Sequence, residues 1–136
     1  MTWSGDATPL AANRTTDLRF VVHDAKGAVP QLQSYLGMAA HAVILRDDQS
    51  VFIHLHPMGT VAPISQRVFA LRDLGDTTST GRLRADSLAA ATLPVMSMSG
   101  ELTFPYEFPK PGRYRVWVQV RPDRRVLTGA FDVDVR

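Results

Sequence analysis

The sequence predicts an all-β fold, an antiparallel β-sandwich of six or seven short strands. Three observations predict it. Short segments alternate apolar and polar residues, clusters of turn-forming residues separate them, and no strand–helix–strand rhythm runs through the chain. At 136 residues the chain fits one domain. A chain of that size hides roughly two-thirds of its unfolded surface, enough for a real core.

The elements follow in order. Residues 1–15 read as a flexible lead-in, and 16–136 as a single sandwich domain. From Thr16 to His23, Leu18, Phe20 and Val22 share one face and Arg19, Val21 and His23 the other, the pattern of a half-buried strand. Asp24-Ala25-Lys26-Gly27 is a turn. Val29 to Leu36 contains Pro30 and reads as an edge strand or irregular link. Two β-branched runs come next, Ala40–Arg46 and Val51–Met58, joined by Asp47-Asp48-Gln49-Ser50; they predict a hairpin. A long insertion at about 59–99 shows no clear strand and is expected to be partly helical. Ile64, Val68, Leu71 and Leu74 have helical spacing, Gly75 fits a stop, and 86–91 fits one more helical turn. Leu102, Phe104, Tyr106 and Phe108 alternate around Pro105, which places that strand at an edge or a bulge. Tyr114, Val116, Val118 and Val120 mark the clearest strand, with Arg113, Arg115, Trp117, Gln119 and Arg121 on its polar face. Leu127, Phe131, Val133 and Val135 mark the last. Trp117 is expected to be covered by Trp3 or the lead-in. This pattern favours a sandwich of the immunoglobulin or cupredoxin type.

Composition excludes several functions. With no cysteine there are no disulfides, zinc fingers, thiolate-held clusters, cysteine nucleophiles or blue-copper centres. Of fifteen basic residues only Lys26 and Lys110 are lysines; the arginines are scattered and the net charge is +2. That footprint argues against nucleic-acid binding. No apolar run approaches the roughly 20 residues of a membrane helix. Met1-Thr2-Trp3-Ser4-Gly5-Asp6 does not read as a signal peptide. A native start and a start just after a signal or anchor both stay open.

Three of the four histidines fall in the hairpin: His41, His54 and His56. A loop of two or four residues makes paired positions sum to 97, so His41 faces His56 and His54 lies diagonally opposite. Three imidazoles on one sheet face then converge, and imidazole suits copper, zinc and nickel. A three-residue loop would put His41 on the other face. Thioethers select copper(I), so Met58, Met96 and Met98 are added as soft ligands, the last two from the insertion. Copper, as Cu(I) and Cu(II), is the expected ion, with zinc the alternative. The histidine face also carries Val43, Leu45 and Phe52, and the 59–99 segment is the expected cover. His23 reads as an exposed histidine. No Gly-x-Ser-x-Gly elbow occurs, the only glutamates are Glu101 and Glu107, and Asp47 and Asp48 belong to the predicted turn at the far end of the hairpin from His41 and His56, so catalysis is not expected.

Several pieces together resemble a known group: Tyr35-Leu36-Gly37, Ala40-His41-Ala42-Val43, His54-Leu55-His56-Pro57, Phe104 through Tyr114, and Val126 through Phe131. They are similar to bacterial extracytoplasmic domains of cupredoxin or immunoglobulin-like fold, some found near copper-handling genes. The resemblance implies a periplasmic or extracytoplasmic location, a metal role, and a membrane-anchored or periplasmic protein partner. The reading that follows is copper capture or delivery without membrane insertion. The alternatives are a non-catalytic interaction module whose histidines only pack, and a small metalloenzyme with an open coordination position.

Overall fold

The computed structural model describes residues 1–5, 9–36, 38–57, 59–60 and 98–136. These form nine strands: β1 (Thr2–Trp3), β2 (Thr15–Val21), β3 (Gln31–Leu32), β4 (Ala40–Arg46), β5 (Phe52–Leu55), β6 (Met98–Ser99), β7 (Glu101–Glu107), β8 (Gly112–Val120) and β9 (Leu127–Val135). All named pairings are antiparallel. Among the described residues there is no helix; the expected helix at 64–74 and the turn at 86–91 lie outside them. Among the described residues no helix is long and apolar enough to cross a membrane.

Two sheets dominate. One has the order β1-β2-β7, the other β5-β4-β8-β9, and β3 and β6 form a small pair beside them. Alternation along each strand turns one face of each sheet inward. Leu18, Phe20 and Phe104 from the first, with Phe108 just past the end of β7, meet Ile44, Leu55, Tyr114, Val116, Val118 and Val120 from the second in one core. Each such side chain, fully buried, contributes roughly 1.5–3 kcal/mol. Aromatic rings tie the sheets: Phe20 to Phe131 at 5.0 Å between centroids, and Phe108 to Tyr114 at 4.9 Å. The arrangement is sandwich-like.

Local chemistry explains the details. Pro105 cannot donate to a ladder, and among the described residues β7 is an edge strand paired with β2. Tyr114 sits inward at the start of β8, where its hydroxyl donates to the Lys110 carbonyl at 2.7 Å. The stretch expected as a flexible lead-in supplies β1 against β2, and Leu10 bridges Val135. Trp3 joins the core, edge-on to Phe20 at 4.9 Å and 6.2 Å from Phe131. It therefore does not cover Trp117. The inner faces were too apolar to leave their margin open, and the Trp3 indole fills it.

The hairpin fixes the site. Ala42 pairs with Leu55, Val43 with His54, Ile44 with Ile53 and Leu45 with Phe52, each pair summing to 97. Arg46 N donates to Val51 O at 2.9 Å, closing a loop of four residues, 47–50. Asp47 and Asp48 side chains accept backbone N–H groups inside it, at 2.9 Å from Asp48 N and 3.0 Å from Ser50 N. Asx turns of this kind are why aspartates favour such loops.

Candidate metal centre

The β4–β5 register carries all three histidines to one place. Ala40, Ala42 and Ile44 point into the core, so His41, Val43 and Leu45 point out. On β5, Ile53 and Leu55 point in, so Phe52 and His54 point out. Extending the same register by one pair sets His56 opposite His41. One ligand nitrogen from each of His41, His54 and His56 lies within 4.8 Å of the others. Ring centroids are 5.2 Å apart for His41 and His54, 5.1 Å for His41 and His56, and 4.7 Å for His54 and His56. Three nitrogens bound at about 2.0–2.1 Å to one ion stand some 3.3 Å apart in a tetrahedral set, so the rings would have to draw together by up to about 1.5 Å to share one ion.

Each histidine has a distinct environment. His41 and His56 are only 5% and 7% exposed, whereas His54 is open to solvent. His41 Nε2 lies 2.9 Å from the Tyr35 carbonyl. A carbonyl only accepts, so Nε2 carries the proton and Nδ1 is left with a free lone pair. That lone pair faces His54 Nε2 at 3.1 Å. A metal-binding imidazole characteristically donates its other N–H to a carbonyl or carboxylate, which fixes tautomer and ring angle. His41 is held in that way. His56 Nδ1 is buried and has no hydrogen-bond partner among the described residues. Such an atom ordinarily costs free energy and needs a reason. A bound cation would supply one.

Electrostatics agree with the donor role. Burial pushes both His41 and His56 below the ordinary imidazole range. Like-charge repulsion within the triad adds to it, from His54 on His41 and from His41 and His54 on His56. Both are therefore neutral at neutral pH, the form that ligates a metal.

Two tight turns frame the triad. Tyr35 and Met38 exchange backbone hydrogen bonds at 2.8 and 3.1 Å, with Leu36 between them at φ 50°. This turn presents the Tyr35 carbonyl, and the Tyr35 ring stands edge-on to His41 at 5.6 Å. His56 and Gly59 exchange hydrogen bonds at 2.8 Å each, and Gly59 takes φ 100°. Only a residue without Cβ adopts that conformation freely. The chain thus reverses straight after His56.

The soft ligands stand differently. Met58 and Met96 lie outside the described residues, as does most of the expected cover at 59–99. Met98 lies in β6 opposite Leu32 and packs against the hydrophobic core. His23 is apart from the triad, with Nε2 3.2 Å from the Thr2 hydroxyl and Nδ1 3.3 Å from the Gly27 carbonyl. Sequence reasoning missed Tyr35, whose carbonyl holds His41, and the groove residues Gln119 and Thr128, and gave Trp117 a different setting. Trp117 pairs with Val43 and lines the same groove as His41 and His54. The β4–β8 pairing was not predicted, and it brings Trp117 and Gln119 beside the histidines, with Thr128 one strand further on.

The chain belongs to a family described as a domain of unknown function, DUF8832, which matches residues 1–136. No curated protein and no solved structure matches it.

Proposed function

We propose that this chain is an extracytoplasmic copper-binding domain that captures or delivers the ion and performs no chemistry on it. The single observation that carries this reading is the triad itself. It has two buried neutral imidazoles and one exposed one, with a buried Nδ1 that finds no partner among the described residues. His41, His54 and His56 would hold the ion. An all-imidazole set binds copper(II) more tightly than the other common divalent ions, with zinc next to it in the series. Met58, two residues beyond His56, and Met96 or Met98 would serve copper(I), which prefers thioethers. Exposure of His54 suits a carrier, because one ligand can be exchanged without opening the core.

A sandwich of immunoglobulin or cupredoxin type is part of the proposal. The sheet orders support it, and so does Tyr114, whose hydroxyl bonds back to the backbone at a strand start as in the corner tyrosine of such folds. The extracytoplasmic setting, and a periplasmic or membrane-anchored partner, rest on the resemblance of the Tyr-Leu-Gly and His-x-His-Pro pieces. Fractionation of cells expressing the tagged protein tests the location; a purely cytoplasmic signal rejects it.

The binding test is titration of the pure protein with copper(II), with silver(I) as a copper(I) mimic, and with zinc, followed by calorimetry. The same titrations on His54→Ala and His56→Ala complete it. One-to-one binding that is tightest for copper and lost in both variants supports the reading. Unchanged affinity in both variants returns the histidines to a packing role, and tighter zinc than copper binding replaces the ion.

A further inference from the structure

A groove opens beside the triad on the outer face of the four-stranded sheet. Among the described residues it is lined by His41, Val43, His54, Trp117, Gln119 and Thr128, and its volume is about 300 Å³. Its position follows from register: Gln119 pairs with His41 on one side and with Thr128 on the other. Gln119 Nε2 approaches Thr128 Oγ1 at 3.5 Å, a long contact that leaves both groups free to turn toward a better partner. Each of these described lining residues is uncharged or an imidazole. The only group of potential metal ligands among the described residues is the three histidines, with no carboxylate in it.

That donor set has a consequence for charge. Three neutral imidazoles leave the full double charge of a divalent ion uncompensated, at a place where two of the ligands are nearly inaccessible to water. A charge in such a setting calls for an opposite one. Three protein ligands also leave at least one coordination position unfilled. The groove borders the exposed ligand, His54, and is roomy enough for a small ligand. It adds a side-chain amide and a hydroxyl that can donate hydrogen bonds.

We propose that this groove is an anion co-ligand site. A small monoanion of the carboxylate class binds the copper(II) ion through one oxygen and takes hydrogen bonds from Gln119 and Thr128. The proposal rests on the copper reading above. It adds that the loaded site is a ternary one, with protein, ion and exchangeable anion, so that copper enters or leaves as a carboxylate complex.

The test uses the full chain loaded with copper(II), azide as the spectroscopic anion and acetate as its competitor. The expected result is an azide-to-copper charge-transfer band that saturates and is displaced by acetate. Gln119→Leu should weaken azide binding severalfold while copper affinity stays within about threefold of the parent. Gln119→Glu places a fixed carboxylate opposite His41; it should raise copper affinity roughly tenfold or more and abolish the azide band. If Gln119→Glu does not fold, Thr128→Asp, on the exposed edge strand, carries the same expectation. A parent that binds copper but shows no azide band, with a carboxylate variant no tighter than the parent, overturns the anion site and leaves the copper reading intact. A parent that binds no copper overturns both.

Discussion

Replacing His56 by leucine separates a ligand from a packing residue, because the two roles predict opposite signs. His56 is 7% exposed and its Nδ1 has no partner among the described residues. A buried, unsatisfied polar atom costs about 1–3 kcal/mol, and leucine removes it at similar volume. Without metal, His56→Leu should therefore be at least as stable as the parent. A gain of about 1 kcal/mol would raise Tm by roughly 3 °C in a domain of this size. With metal the order reverses. At a copper(II) concentration 100 times its Kd, the parent gains about 2.7 kcal/mol. Structural metal sites release about 10–16 kcal/mol, or roughly 3 kcal/mol for each of four ligands, so losing one weakens binding about 100-fold. The variant at the same copper concentration then sits near its own Kd and gains only about 0.4 kcal/mol. Thermal unfolding of both proteins, with and without copper, reads out the four values. An apo variant that unfolds well below the parent and keeps the copper-induced shift would refute the reasoning, since His56 would then be holding the fold and not the ion.

Three further outcomes are expected. Leu36 adopts φ 50° while 74% exposed, a conformation that costs L-residues with bulky side chains about 1–2 kcal/mol and that asparagine tolerates; Leu36→Asn should raise Tm with copper affinity unchanged, and a lower Tm contradicts it. His41 and His56 are held below 6.5, so the unfolded chain takes up protons there that the folded one refuses. Their contribution to stability is whole above pH 6.5 and declines as the pH falls below it, and copper affinity declines in the same window because protons compete for the nitrogens. Urea midpoints and copper titrations between pH 7.5 and 5 check both, and a flat profile opposes them. Phe20 is 1% exposed and touches Trp3, Phe104 and Phe131; Phe20→Ala should cost about 3–5 kcal/mol by chemical denaturation, and a loss under 1 kcal/mol would mean the sheets do not meet there.

Much of the centre was legible because a hairpin obeys arithmetic. Alternation places 41, 54 and 56 on one face whenever the loop is even, and the four-residue loop at 47–50 is even. Strand limits were legible to within a residue or two from Leu18-x-Phe20 and Tyr114-x-Val116-x-Val118-x-Val120, since period-two burial is a local signal. What could not be read locally was pairing between distant segments. Nothing in the chain near Trp117 says that β8 lies beside β4, so its place next to the histidines, and Gln119 opposite His41, needed the fold. Tyr35 was missed as a site residue because it acts through its carbonyl, a group every residue has. Only the unusual φ of Leu36 marks that turn, and backbone angles at a leucine are not written in its side chain. The two-residue strands β1, β3 and β6 were too short to show any period.

The same register that assembles the triad also buries the core, and this makes the site hard to lose by slippage. A shift of β5 by one residue against β4 would move His54 and His56 to the inner face and bring Ile53 and Leu55 out. Leu55 is fully buried and Ile53 packs against the core, so the slip would forfeit about 1.5–3 kcal/mol for Leu55 alone and place two imidazoles against apolar side chains. Pairing on the other side resists as well. Ala42, Ile44, Val116 and Val118 interlock across β4 and β8, and all four are buried. The histidines themselves contribute little to this choice. They ride on a register that Ile44, Ile53 and Leu55 would select without them, which is why the nitrogens can be spared for an ion.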